Sequence, residues 1–336
     1  MEPLAGPAWS AAVGEASWIG ERLAPFGSHQ VTSVVPGGFG GYARVLHPAE
    51  DPLRGERLVR WAEVAAWSGM PLRADAQFHS VALPPVRPGG DAPGSGMCPE
   101  TGSLFPPDAE VLAGIAREWT TPERCWFCVW DGYGWEGARL TRPGEPSVPL
   151  PGPIPEAVLQ GPRVHLPGRN YLLYAGPVEA AAAVEPVAGS YQTANLWWPA
   201  DHAWCVASEI DLAWTYVGGP VGLIERLLAD GRIEVLPAGP DDPVSRTEDW
   251  VTAWVGEATA RLVSTGEAVI TTSRGTVEAR LERPRRRGRT ALRTWSRDDS
   301  GTIRSAERML GHHDKDGQRD EIRWSLRWDL IDLVEG

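Results

Sequence analysis

Glu209 and Asp211 lie within NLWWPADHAWCVASEIDLAWTYVGG, residues 195–219, and are the two acids whose spacing most invites chemistry. Read as one extended strand from Trp204 to Tyr216, the segment alternates between two faces. Trp204, Val206, Ile210, Leu212, Trp214 and Tyr216 fall on one, and Cys205, Ala207, Glu209, Asp211, Ala213 and Thr215 on the other. Carboxylates two residues apart on one face sit about 6 to 7 Å from each other. That separation suits a divalent ion, an acid–base pair or two arginine partners. Asp131 closes the similar string CWFCVWD and joins the pair if the two strands are neighbours. Asp131, Glu209 and Asp211 are therefore the candidate catalytic residues, with Glu209 and Asp211 the candidate metal ligands. The plainer alternative is an acidic sheet face that is solvated or paired with arginine, behind a tryptophan face that is core.

Other motifs carry less. Cys125 and Cys128 match C-x-x-C, but an odd offset in a strand sends them to opposite faces, so buried structural thiols are expected instead of a redox or zinc pair. Gly38, Gly40 and Ala43 satisfy G-x-G-x-x-A, yet Pro48 leaves hardly one turn for the helix that a pyrophosphate needs, and a glycine-rich turn is the better account. Lys315 is the sole lysine, set beside acids in HHDKDGQRD with His312 and His313, so a Walker or Schiff-base lysine is not expected. No cofactor is implied. RLERPRRRGRTALRTW, residues 280–295, is the one basic cluster, and Arg285, Arg286, Arg287 and Arg289 are the candidate binding residues, for an acidic protein surface or phosphates, against a plain solvated turn.

Composition narrows the classes. The 336 residues carry 32 Lys+Arg against 44 Asp+Glu, a formal charge of −12, which argues against general binding to nucleic acid or anionic membranes. The charge is uneven: residues 246–336 hold 17 basic against 16 acidic side chains, leaving 15 against 28 in residues 1–245. No basic region followed by an apolar one opens the sequence, and no apolar run approaches the ~20 residues of a membrane span. Four cysteines, at 98, 125, 128 and 205, suggest no disulfide framework. A cytoplasmic protein is expected.

The elements that must position these residues read as α+β. Pro and Gly density marks loops at 84–107, 139–155 and 237–243, and PAGPDDP, where the charge also shifts, is the expected boundary between domains 1–240 and 246–336. In the first, Val31–Val35 and Tyr42–Leu46 suggest a hairpin, Leu58–Trp67, Ala109–Trp119 and Val221–Leu228 suggest helices, with Asp108 as an N-cap, and Cys125–Trp130, Tyr171–Tyr174 and Trp204–Tyr216 suggest strands. In the second, a Trp250–Val263 helix precedes strands at Ala268–Thr272, Thr276–Glu282, Thr290–Arg297, Thr302–Met309 and Ile322–Leu333, an antiparallel meander packed on one helix.

RCWFCVWDGYGW, LPGRNYLLYAGP and the tryptophan-rich string above, with YARVLHPAE and WAEVAAWSG nearer the amino terminus, resemble segments of a widespread family of uncharacterised actinobacterial proteins. The resemblance covers roughly residues 18–240 and implies no activity. With no catalytic signature surviving, the expected function is a cytoplasmic protein-binding or interaction protein, immunity-like or adaptor. The competing expectation is an enzyme built on Asp131, Glu209 and Asp211.

Overall fold

The computed structural model describes residues 6–51, 57–82, 99–121, 123–133, 139–140, 148–149, 154–183, 193–244, 250–272, 275–282, 290–298, 301, 303–310, 322–323, 325–326 and 329. Contacts cluster the chain into two units, residues 1–47 with 100–244 and residues 48–99 with 245–336. The fold is α+β, with two principal antiparallel sheets.

The chain enters through β1 (Ala8–Trp9), α1 (Ser17–Arg22) and β2 (Gly41–Leu46), then contributes β3 (Ala49–Asp51), β4 (Arg57–Val59), α2 (Trp61–Ser68) and α3 (Phe78–Ala82) to the second unit. Back in the first unit it forms α4 (Pro106–Arg117), β5 (Cys125–Trp130), the short pair β6 (Arg139–Leu140) and β7 (Val148–Pro149), α5 (Glu156–Leu159), β8 (Val164–Leu166), β9 (Arg169–Gly176), β10 (Leu196–Pro199), β11 (Cys205–Ala207), β12 (Trp214–Gly219), α6 (Val221–Leu228) and β13 (Val235–Ala238). The second unit closes with α7 (Trp250–Thr265) and strands β14 (Glu267–Thr272), β15 (Gly275–Glu282), β16 (Ala291–Asp298) and β17 (Ile303–Met309).

The first unit is a nine-stranded sheet in the order β1-β9-β5-β10-β11-β12-β2-β13, with β8 against β9. Its central strands are apolar on both sides because both faces are covered. One register row runs Tyr174, Phe127, Trp197, Val206, Val217, Ala43 across six strands and packs against Leu112 and Ile115 of α4 and Leu223 and Leu227 of α6. The neighbouring row, Leu173, Cys128, Leu196, Ala207, Tyr216, Arg44, points the other way. On that side Trp18 of α1 meets Trp198 edge to face at 6.3 Å. Cys125 and Cys128 are free, buried and on opposite faces of β5, and burial pushes the Cys125 thiol up to about 12. Gly38 and Gly40 lead into strand β2, which contains Ala43, so a strand and not a helix follows the glycines.

Three expectations in this unit are corrected. The segment from Trp204 to Tyr216 is two strands, β11 and β12, joined by a turn at 208–213. Strand parity therefore breaks: Val206 pairs with Val217, so Trp204 faces one core while Trp214 and Tyr216 face the other side. The turn forms because its backbone finds partners outside the ladder. The Ser208 N–H donates to the Asn195 carbonyl at 2.6 Å, the Gly102 N–H to the Leu212 carbonyl at 3.0 Å, and the His47 N–H to the Ala213 carbonyl at 3.0 Å. Val31–Ser33 is a 3₁₀ turn, not a hairpin strand, since the Val31 and Thr32 N–H groups donate to the carbonyls of Asp242 and Pro240. Asp108 lies inside the first turn of α4, with Phe105 at the N-cap and prolines filling the first positions, where a missing N–H costs nothing.

In the second unit, β14-β15-β16-β17 form a four-stranded antiparallel meander. Alternation divides β14 and β15 most clearly. Ala268, Ile270, Val277, Ala279 and Leu292 turn inward and are buried, as are Val255, Ala258 and Leu262 of α7, the helix that packs on β14 and β15. Apart from this, α2 ends at Gly69, which adopts φ 68°, a left-handed cap that other residues resist, and Trp61 meets Phe78 of α3 at 5.2 Å. The expected strand at 322–333 is corrected: Ile322, Arg323, Ser325, Leu326 and Asp329 have helical backbone. Ile322, Ser325, Leu326 and Asp329 are buried at i, i+3, i+4 and i+7, one stripe of a helix, and the helical period prevails over β-propensity. Asp329 accepts two hydrogen bonds from the Arg308 guanidinium, at 2.9 and 3.0 Å.

Candidate functional site

Two different arginines hold the three acids singled out by sequence, Arg169 for Glu209 and Asp211 and Arg163 for Asp131. The 208–213 turn presents Glu209 to Arg169 at the start of β9, whose Nη2 and Nε donate to Glu209 Oε1 at 2.7 and 3.2 Å. The same Nη2 lies 3.4 Å from Asp211 Oδ2, whose side chain is 78% exposed. Aromatic rings flank the guanidinium, with the Phe26 centroid at 5.1 Å and that of Trp130 at 5.7 Å. Asp131 follows β5 in a short 3₁₀ turn and accepts from Nε of a different arginine, Arg163, at 3.2 Å. The remaining Arg163 donors hold the carbonyls of Val158, Leu159 and Gly161, the C-terminal end of α5. Each of these arginines engages one carboxylate oxygen, Oε1 of Glu209 and Oδ2 of Asp131, and opposite charge at that contact favours a structural ion pair over an acid–base pair. Among the described residues no group of three His, Cys, Asp or Glu side chains is placed to hold a metal ion.

Beside this cluster lies a polar network that the sequence reading missed. His47, 1% exposed, closes the first segment of this unit, and Glu100 opens its return. His47 Nδ1 is 2.7 Å from the Glu100 carbonyl oxygen, which only accepts, so Nδ1 carries the proton. Nε2 then accepts from the Thr215 hydroxyl at 2.9 Å, and Thr215 Oγ1 accepts from Ser208 at 2.6 Å. Burial, opposed by the Glu100 hydrogen bond and aided by Arg44, lowers the His47 pKa to about 4. Asn195 ties in β5 and the turn: Trp130 N–H donates to its Oδ1 at 2.8 Å, and its Nδ2 donates to Tyr133 at 3.1 Å. A hydroxyl–hydroxyl–imidazole chain has the chemistry of a relay, but these groups are sealed in the core, where they hold the turn in place. No spacing in the sequence signals it, because a single histidine in VLHP looks like any other.

The exposed side of the second sheet is different in kind. Its outward residues form register rows: Thr271, Thr276, Arg297, Ile303; then Val269, Glu278, Trp295, Ser305; then Glu267, Arg280, Arg293, Glu307. Val269 and Ile303 are 55% and 57% exposed, and Met309 at the end of β17 is 51% exposed. A groove of about 440 Å³ runs over Thr276, Glu278, Arg280, Trp295, Arg297 and Ile303. The third row is internally paired, with Arg280 on Glu267 at 2.8 Å and Arg293 on Glu307 at 3.1 Å and Glu282 at 3.3 Å. Among the described residues Glu278 and Arg297, on either side of the Trp295 indole, have no ion-pair or hydrogen-bond partner. Arg285, Arg286, Arg287 and Arg289, in sequence between β15 and β16, lie outside the described residues, and Cys98, His312, His313 and Lys315 are outside them too.

Compared with family models, curated proteins and solved structures, the chain matches none. Among the described residues no helix is long and apolar enough to cross a membrane.

Proposed function

We propose that this is a cytoplasmic, non-catalytic protein-binding protein, of an adaptor or immunity-like kind, whose docking surface is the outer face of β14–β17. The observation that carries this reading is the groove around Trp295, with Arg297 and Ile303 beside it and Val269 and Met309 exposed on neighbouring strands. Tryptophan, arginine and methionine are the side chains that concentrate at protein interfaces, where a flat aromatic supplies area and a guanidinium supplies direction. Glu267, Glu278, Glu282 and Glu307 on the same face oppose a phosphate backbone, and they favour a protein partner over nucleic acid. Arg285, Arg286, Arg287 and Arg289 remain candidate binding residues from their charge in the sequence alone. A reduced compartment is consistent with the free cysteines 125, 128 and 205.

The test is capture from the native host with wild type and with the double variant Trp295→Ala, Arg297→Glu as baits, read by quantitative mass spectrometry. The reading expects at least one protein held by the wild type and reduced about tenfold or more in the variant, the loss typical of a central aromatic anchor. Identical captures by both baits would refute it.

A further inference from the structure

We infer that the partner of the β14–β17 face is a second copy of this chain, docked face to face about a two-fold axis close to Trp295. The inference rests on the protein-binding reading of this face and names its occupant. Two-fold symmetry demands a surface complementary to itself: whatever one copy presents on one side of the axis, it must accept on the other. This face meets that demand. Glu278 stands opposite Trp295 on β15, and Arg297 stands two residues from Trp295 on β16, so the two unpaired charges flank the indole along a diagonal.

An axis between the two sheets, through the midpoint of that diagonal, lays Arg297 over Glu278 of the partner subunit and Glu278 over the partner's Arg297. Trp295 then faces the partner's Trp295, and the strands cross at a steep angle, as in orthogonal sheet packing. The row Glu267, Arg280, Arg293, Glu307 reads the same from either edge and is already paired within one copy, so it bounds the contact without adding repulsion. Long-range charge favours the same place. Two copies at −12 repel overall, but residues 246–336 balance 17 basic against 16 acidic side chains.

The area sets the strength. Four strands about 4.8 Å apart and roughly seven residues long at about 3.4 Å each cover about 450 Å² per copy, or roughly 900 Å² in all. That is below the size of a standard stable interface, so the dimer belongs to the weak, reversible class.

Sedimentation equilibrium of the full chain over about 1 to 300 μM, a range that brackets weak association, decides the question. The wild type is expected to show a reversible monomer–dimer equilibrium. Glu278→Arg and Arg297→Glu, each alone, place like charges across both contacts and are expected to weaken the dimer about tenfold or more. An equimolar mixture of the two variants restores opposite charges at both contacts, so it should recover a heterodimer near wild-type strength. The Glu278→Arg, Arg297→Glu double variant should recover a homodimer. Both positions are exposed, and circular dichroism confirms the fold; if a reversal fails to fold, Glu278→Gln and Arg297→Gln are read instead and should weaken the dimer by a smaller factor. A monomer at every concentration, a dimer indifferent to the reversals, or a mixture that stays monomeric overturns the inference. If the chain is monomeric but the Trp295→Ala, Arg297→Glu bait still loses a host protein, the protein-binding reading stands and only the second copy is lost. If the face variants alter neither assay, both fall.

Discussion

Arg169 in the first unit and Arg297 in the second each stand near a tryptophan and a glutamate, and their surroundings give them opposite roles. Arg169 has a 2.7 Å hydrogen bond to Glu209 and rings on two sides, and little of it reaches solvent. Its donors are committed, and the result is a fastener that holds the β11–β12 turn to β9. Arg297 has no such partner and borders a groove open to solvent. The contrast shows that residue type does not distinguish a structural arginine from a binding one. What distinguishes them is whether the fold has already satisfied the donors, since a satisfied guanidinium gains little from a ligand and an unsatisfied one gains a charge-assisted bond.

Truncating a tryptophan in each region tests the contrast most strongly. Trp204→Ala, removing a fully buried ring, is expected to cost about 3 to 5 kcal/mol by denaturant titration, and Trp295→Ala, removing a ring only partly covered on the outer face, less, about 1 to 2 kcal/mol. Equal losses would place both rings in cores and remove the docking surface. Next comes acid. The His47 pKa is about 4 in the folded chain against an ordinary 6.5, so the folded state binds fewer protons between those values. Stability from this site is intact above pH 6.5, falls as pH drops towards 4 and levels off below, for a total of about 3 kcal/mol. His47→Gln should flatten that slope. An acid limb unchanged in the variant would assign the loss to other groups.

Smaller effects follow at the arginines. Arg169→Ala leaves Glu209 half-buried without its partner and should cost about 1 to 3 kcal/mol, with Glu209→Gln similar in sign, whereas Arg297→Ala should change stability by less than about 0.5 kcal/mol. The smallest expected effect is of metal: calcium or magnesium should leave the melting temperature unchanged, because Glu209 and Asp131 pair with different arginines and no three-ligand group forms among the described residues. A saturable metal-dependent rise, lost in Glu209→Gln and Asp211→Asn, would bring back the catalytic alternative.

Much of the second unit is legible in the sequence. The meander strands and the helix before them fall within a residue or two of their expected limits, because a half-exposed sheet alternates strictly and its turns are short. Cys125–Trp130 and Val221–Leu228 are likewise found where local pattern puts them. The candidate acids were visible as residues, but their environment was not: Arg169 and Glu209 lie 40 positions apart in the chain, and nothing local in either segment names the other.

The sequence by itself determined an acidic, tryptophan-rich α+β chain with buried thiols, a glycine-rich turn in place of a nucleotide loop, and an amphipathic antiparallel meander after one helix, whose fifth expected strand the structure removes. Those properties follow from composition and from periods of two and 3.6 residues, which act over a few neighbours. Only the tertiary structure decided that Ser208–Ala213 turns, that Trp204 and Trp214 part company, that His47 is sealed with Thr215, and that Glu278 and Arg297 stay free. Each of those outcomes depends on which distant backbone or side-chain group reaches a donor or acceptor first, and that competition is settled only when the sheets assemble.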